Sequence, residues 1–354
     1  MIVREATAAD WPQVTDLFVA TPVQAGTSFV LDRRPDFEAL PRLRGQSRTF
    51  VVAQGQRLAG TVTALWRRAM DGTKQITVGE IIDLRVAPWA RGGRVTIHLL
   101  RAVHETFVAA RVEWILSLIG KHNHAARAVT VRKEGLPALA ALEDFASIHF
   151  LAMRIPPQRS GPSVREAGLS DAELLAEFWA KQQASERFAP PAVFVWPDPT
   201  GHHRAWLAFG PDGATQGVLV AWDGEALRRL RIVRYQATDL PLRAAMGVAA
   251  MFGRSVALPA PGEVLRLWAT RLVVVRSGGA RTLRALVDAA LGSAVAEGRH
   301  VLQVNLHGHD PLLRQLPPYL RSTYWTTLYG GPLDGRPVPP PFPTERFHGD
   351  IARV

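Results

Sequence analysis

The segment Leu84-Arg85-Val86-Ala87-Pro88-Trp89-Ala90-Arg91-Gly92-Gly93-Arg94-Val95-Thr96-Ile97-His98-Leu99-Leu100 sets two glycines and two arginines ahead of a stretch with helical spacing. A helix start offers unpaired backbone N–H groups and the positive end of the helix dipole, and glycine lets an oxygen approach the backbone closely. That chemistry suits a phosphate or pyrophosphate. An ordinary strand-to-helix turn with solvent-facing arginines is the alternative. Other groups are weaker. Arg276-Ser277-Gly278-Gly279-Ala280-Arg281 stands before a second helix, His122 and His124 flank Asn123, and His307-Gly308-His309-Asp310 puts two imidazoles on one face of a strand. No third ligand is evident beside that last pair, so no metal is expected.

The elements that must carry these residues occur twice. Val3-Arg4-Glu5-Ala6 returns as Val164-Arg165-Glu166-Ala167, each followed by an amphipathic helical pattern. Phe50 to Ala53, a turn and Gly60-Thr61-Val62 match Trp206 to Phe209, a turn and Gly217 to Val220, two hairpins with glycine opening the second strand. Leu100 to Val103 finds its counterpart in Leu283 to Leu286, each before an apolar strand, Trp114 to Ile119 and Val301 to Leu306. Thr49 to Gln54, Leu58 to Trp66 and Gln75 to Val86 read as an antiparallel meander, with Val95 to Ala110 and Asn123 to Lys133 helical beyond it. Phe145 to Met153 is expected to close the first copy, and Ser170 with Glu173 to form a capping box in the second. An inserted apolar helix, Leu242 to Phe252, is expected to pack an interface. The expected fold class is α+β, two tandem domains each with a mixed, mostly antiparallel sheet flanked by helices. The expected boundaries are 1–155, a Pro/Gly linker at 156–162, 163–330, and a proline-rich tail at 331–354, with Gly330 to Pro343 as an extended strap.

Composition narrows the class. The 354 residues are 47% hydrophobic, enough for two cores, and no 18-residue apolar run suggests a membrane span. The absence of cysteine removes disulfides, thiolate metal sites and a cysteine nucleophile, and with no leader pattern the expected location is the cytoplasm. The net charge of +11 comes almost wholly from arginine, since lysine occurs only at 74, 121, 133 and 181. No basic run interleaves with aromatics, so nucleic acid is not an expected partner.

The strand ending Val86-x-Pro88, then Arg91-x-x-Arg94-x-Thr96 and the paired Leu99-Leu100, resembles the signature of the GNAT superfamily of acyl-CoA-dependent N-acetyltransferases. Arg94 and Thr96 stand where that pattern has small residues. The resemblance implies acetyl-CoA as co-substrate and an amine of a small molecule or peptide as acceptor, with the protein a monomer or homodimer. It implies that the backbone at Leu84 and Val86 meets the pantetheine arm and that Arg91, Gly92, Gly93, Arg94, Val95 and Thr96 cradle the pyrophosphate. Asn123 and Ala126 match the family's Asn-x-x-Ala beside the coenzyme, whereas Thr130 replaces the tyrosine often found seven residues on. An amine of pKa about 10 must lose a proton before it attacks the thioester. Glu80 and Asp83, on the strand before the loop, are the candidate bases; regular alternation would put them on opposite faces unless a bulge intervenes. The second copy lacks the Val-x-Pro and is expected to be degenerate. The competing reading is a non-catalytic module that binds CoA or another ligand.

Overall fold

The computed structural model describes residues 2–25, 27–92, 94–130, 137–156, 161–191, 195–196, 202–338 and 346–349. In chain order its main elements are β1 (Ile2–Glu5), α1 (Trp11–Ala20), α2 (Ala39–Arg44), β2 (Gln46–Gln54), β3 (Arg57–Asp71), β4 (Lys74–Val86), α3 (Val95–Ala109), β5 (Trp114–Gly120), α4 (His124–Val129) and β6 (Ala140–Leu151). There follow β7 (Ser163–Glu166), α5 (Ala172–Ala184), β8 (His203–Phe209), β9 (Thr215–Asp223), α6 (Leu240–Met251), β10 (Leu267–Val275), α7 (Gly279–Ala296), β11 (Val301–His307) and β12 (Arg321–Pro332).

The chain divides into two compact units that do not simply follow its order. Unit 1 holds residues 1–143, 186–191 and 326–349; unit 2 holds 144–185, 192–325 and 350–354. Within unit 1 the strand order is β1-β2-β3-β4-β5-β12, antiparallel except for the β4–β5 pair. Within unit 2 it is β6-β11-β10-β9-β8-β7, parallel only at β10–β11. Each unit is therefore a mixed, mostly antiparallel sheet flanked by helices.

Three expectations need correction. Residues 145–151, expected to close the first copy, pair with β11 in unit 2, and the strand beside β5 is residues 326–332 from near the end of the chain. Gly330 to Pro332 accordingly lie in a sheet rather than a strap; a Cβ on Gly330 would come within 2.8 Å of Leu116 Cδ2. The capping box is formed not by Ser170 and Glu173 but by Asp171, whose carboxylate accepts from the Gly168 amide at 2.7 Å. Residues 157–160 of the expected linker, 131–133 of the expected helix, and 339–345 and 350–354 of the tail lie outside the described residues.

Burial follows from spacing. In unit 1, Val95, Leu99, Val103 and Phe107 recur every three to four residues on α3 and pack on Ala59, Val62 and Ala64 of β3. In unit 2, Leu283, Leu286, Val287, Ala290 and Ala294 of α7 do the same against Leu219 and Ala221 of β9. Each such Leu, Val or Phe contributes about 1.5–3 kcal/mol on full burial. The repeated glycine has one purpose in both copies. A Cβ on Gly60 would stand 2.8 Å from Val95 Cγ1, and one on Gly217 3.0 Å from Thr282 Cγ2, so the missing side chain sets how closely the helix approaches the sheet.

The Val-Arg-Glu repeat folds identically as well. Arg4 grips Asp10, and Arg165 grips Asp171, each through two 2.7 Å bonds. The guanidinium, aided by the Thr7 amide, holds the Asp10 carboxyl well below the usual carboxylate range; Arg165 and the Gly168 amide lower Asp171 likewise. Because each folded-state value lies below the unfolded one, the stabilisation is complete above about pH 4 and fades as pH falls through the lower folded-state value. Asp10→Asn should cost about 1.5–3 kcal/mol at neutral pH, read from urea midpoints, with the gap to wild type narrowing below pH 4. A gap independent of pH would overturn this account.

Candidate functional site

β4 is the strand on which the candidate site is built. It pairs with β3 along its whole length but with β5 only at Val78–Trp114, Gly79–Ile115 and Glu80–Leu116. Beyond that point Ser117 Oγ donates to the Ile81 carbonyl at 3.3 Å, and the two strands part. On the other edge the register slips: Thr63 faces Ile82 while Thr61 faces Arg85, which leaves one extra residue in β4. Asp83 sits in this bulge at φ 60°, a left-handed backbone that a non-glycine residue rarely adopts. The parting leaves the β5-facing edge of residues 82–86 without a ladder partner among the described residues, an opening that an extended ligand can enter as an added strand.

The bulge also resolves the question of faces. Leu84 and Val86 pack toward α3, whereas Glu80 and Asp83 both find partners on the α1 and α2 side. Arg33 forks onto Asp83 with bonds of 2.5 and 2.8 Å, and both side chains are almost fully buried. Phe37 stacks under that guanidinium at 5.2 Å, and Arg85 lies over Phe18 at 5.1 Å. Glu80 is clamped by Arg44 from α2 and by Arg67 Nε at 3.1 Å. Arg67 in turn donates to the Phe188 carbonyl at 3.0 Å. The sequence-predicted carboxylates are thus brought to one side, and each is already held by arginine.

The loop after β4 turns through a short 3-10 segment, Pro88–Ala90, and Gly92 at φ 78°. α3 then starts at Val95 with Arg94 at its N-cap and no side-chain cap, so its first amides point outward. Arg91, Gly92 and Arg94 are exposed, Thr96 is half-buried and Val95 is buried beneath the turn. A Cβ at Gly92 would meet nothing within 4 Å, so the approach is open. Gly93 lies outside the described residues. Asn123 is exposed and caps α4: its Oδ1 accepts from the Ala126 amide at 3.0 Å, which ties the two residues of the Asn-x-x-Ala match to each other. α4 ends at Val129, short of the expected Lys133. His122 and His124 are exposed.

Sequence reasoning missed four participants. Arg33, Arg44 and Arg67 arrive from other elements and carry no motif. Tyr329 comes from β12, some two hundred residues away, and its hydroxyl accepts from Arg127 Nε of α4 at 3.1 Å.

Unit 2 repeats the parting but fills it. β10 and β11 pair only at Leu267–Val301, Trp268–Leu302 and Ala269–Gln303. There Asn305 spans the gap, its amide donating to Thr270 Oγ1 and its Nδ2 to the Thr270 carbonyl, both at 2.9 Å. The loop before α7 is three residues, 276–278, against eight, 87–94, in unit 1. Thr282 Oγ1 folds back onto the Ser277 carbonyl at 2.9 Å, and a Cβ on Gly278 would overlap Thr282. His307 packs 5.0 Å from the Phe145 ring, and among the described residues no three His, Cys, Asp or Glu side chains group to hold a metal.

No protein-family model matches the chain, and no curated protein matches its sequence. Solved structures do. Saccharomyces cerevisiae N-myristoyltransferase with bound myristoyl-CoA aligns with a TM-score of 0.57 at 11% identity, over 93% of this chain and 78% of that one. A GCN5-related N-acetyltransferase from Anabaena variabilis aligns with a TM-score of 0.51 at 12% identity, over 94% of this chain and 72% of that one. The chain therefore has the GNAT fold, in two copies. No helix among the described residues is long and apolar enough to cross a membrane.

The Asp83 pin can be tested by stability. Asp83→Ala strands a buried guanidinium and keeps a Cβ at φ 60°, so it should cost about 3–5 kcal/mol in urea denaturation. A loss under about 1 kcal/mol would show that Arg33 does not hold the bulge.

Proposed function

We propose that this GNAT-fold protein is an acyl-CoA-dependent N-acyltransferase whose coenzyme lies in unit 1, across the parted strands β4 and β5. The observation that carries the reading is the coincidence of that opening with an uncapped, arginine-flanked helix start. The fold's solved relatives, named for N-acetyl transfer and for N-myristoyl transfer with myristoyl-CoA, support the reaction class. Acetyl-CoA is the proposed donor and a small-molecule or peptide amine the proposed acceptor.

In this reading the pantetheine arm bonds to the backbone at Leu84 and Val86. The pyrophosphate rests on residues 91–96, with Arg91 and Arg94 neutralising its charge and Asn123 and Ala126 bordering it. The amine nitrogen attacks the thioester carbonyl carbon, the C–S bond breaks, and CoA leaves as the thiolate. Of the two carboxylates, Glu80 is the proposed base. Asp83 spends both oxygens on one buried guanidinium, whereas Glu80 divides its oxygens between two arginines and is the more exposed of the pair. One of those contacts can be exchanged for a water that relays the proton. Unit 2, with Asn305 across its gap and a short self-bonded loop, is proposed to bind no coenzyme.

The arginine clamps also favour a second reading, a non-catalytic module that binds CoA without transfer. Calorimetric titration with CoA, acetyl-CoA and myristoyl-CoA is expected to give one site per chain, with Arg91→Ala weakening binding about tenfold. Unchanged affinity would remove the loop from the site, and two sites per chain would restore unit 2. With an amine acceptor in hand, Glu80→Gln should abolish the acid limb of the kcat/KM profile. A lowered melting temperature with the pH profile intact would make Glu80 a strut, and coenzyme binding with no turnover on any amine would favour the module.

A further inference from the structure

The inserted helix α6 in unit 2 turns its apolar side outward. Leu240, Pro241, Ala244, Ala245, Val248, Met251 and the following Phe252 recur at spacings of three, four and seven and are all exposed, Met251 at 83% and Phe252 at 74%. No charged or hydrogen-bonding side chain interrupts this stripe. On the opposite side Met246 is buried, and Ser255 Oγ donates to its carbonyl at 2.9 Å, which anchors the helix to the unit. A helix so arranged is inverted relative to one that packs a core.

The surroundings identify what covers the stripe. Residues 234–254 contain three arginines, 234, 243 and 254, against one acid, Asp239. Arg234 and Arg254 are exposed at either end of the helical segment, and Arg243 lies over the Tyr235 ring at 5.4 Å. The exposed Arg154 joins them, because its amide donates to the Arg254 carbonyl at 2.8 Å. The nearby acid, Glu263, is turned to the Ala260 amide at 2.6 Å. An apolar stripe bounded by guanidinium groups complements acyl chains beneath anionic headgroups. It does not complement itself: a two-fold pairing of this face would bring the same arginines together. At twelve residues the helix is too short to span a bilayer and long enough to lie along one.

We propose that α6 and its arginine rim dock this protein on an anionic bilayer surface. The docking needs no membrane-spanning helix and is independent of the acyl-transfer reading. The test is sedimentation of the full chain with vesicles of phosphatidylcholine alone and of phosphatidylcholine with phosphatidylglycerol, at low and high salt. Binding should appear on the mixed vesicles and fall at least about tenfold on phosphatidylcholine alone or at high salt. The double variant Met251→Ser, Phe252→Ser, whose exposed positions spare the fold, should lose about tenfold in partitioning at an unchanged melting temperature. Absence of binding to the mixed vesicles, or binding that the double variant retains, overturns the proposal. So does a concentration-dependent dimer, dissolved by the double variant, in a protein that ignores vesicles; the face would then join two copies.

Discussion

The parting of β4 from β5 after Glu80 is the constraint on which the rest of unit 1 depends. A strand paired on both edges offers a ligand nothing, and a strand that leaves one neighbour exposes backbone groups that need a partner. The bulge makes the departure possible, because one extra residue re-aims β4 while its bonds to β3 persist. Holding Asp83 at φ 60° costs about 1–3 kcal/mol. The bidentate bond to Arg33 offsets that cost, and Phe37 beneath the guanidinium fixes where Arg33 can be. The α1 side of the sheet thereby determines the geometry of an opening on its β5 edge.

The two copies handle the same constraint differently. Unit 2 parts its strands after the same three pairs, yet Asn305 satisfies Thr270 from across the gap and is itself held by Ser147 at 3.0 Å and Gln303 at 2.7 Å. Backbone groups satisfied internally have little to gain from a ligand. The short loop and the back-bonded Thr282 have the same effect at the start of α7. Unit 1 leaves Gly92 open and α3 uncapped at the corresponding place. Duplication preserved the sheet, while the polar groups that could bind remain uncommitted in one copy.

What the sequence reveals is what local chemistry dictates. Both hairpins with the glycine that opens each second strand, the helix stripes of α3 and α7 and the strand-loop-helix at Val86 to Leu100 are patterns of near neighbours, and each was legible. The partner of β5 was not. Phe145 to Met153 read as a closing strand and Gly330 to Pro343 as a strap, and nothing within a strand's own pattern states which edge it joins. Glu80 and Asp83 illustrate the same limit at the site: their position before the loop was readable, but the clamps depend on Arg33, Arg44 and Arg67 arriving from other elements. Asn123 was legible as a motif residue, and its capping bond to Ala126 emerges only once α4 is seen to begin at His124.

The destination of the arginines explains why a net charge of +11 did not signal nucleic acid. A planar guanidinium can fork onto a carboxylate while stacking on a ring, which a lysine ammonium cannot do, so it can serve as a buried strut. Arg33 does this with Asp83 and Phe37. Arg299 does it with Asp223 and Glu225 beside Trp268, and Arg187 with Asp71 among Trp114, Phe188 and Phe347. These charges are spent within the units and contribute little field outside them. Exposed arginines stand, among other places, at the start of α3 and around α6. A small anion suits the first, where a helix start and an open glycine confine it. The second, with an uncharged apolar stripe between its arginines, suits an extended surface rather than a point charge.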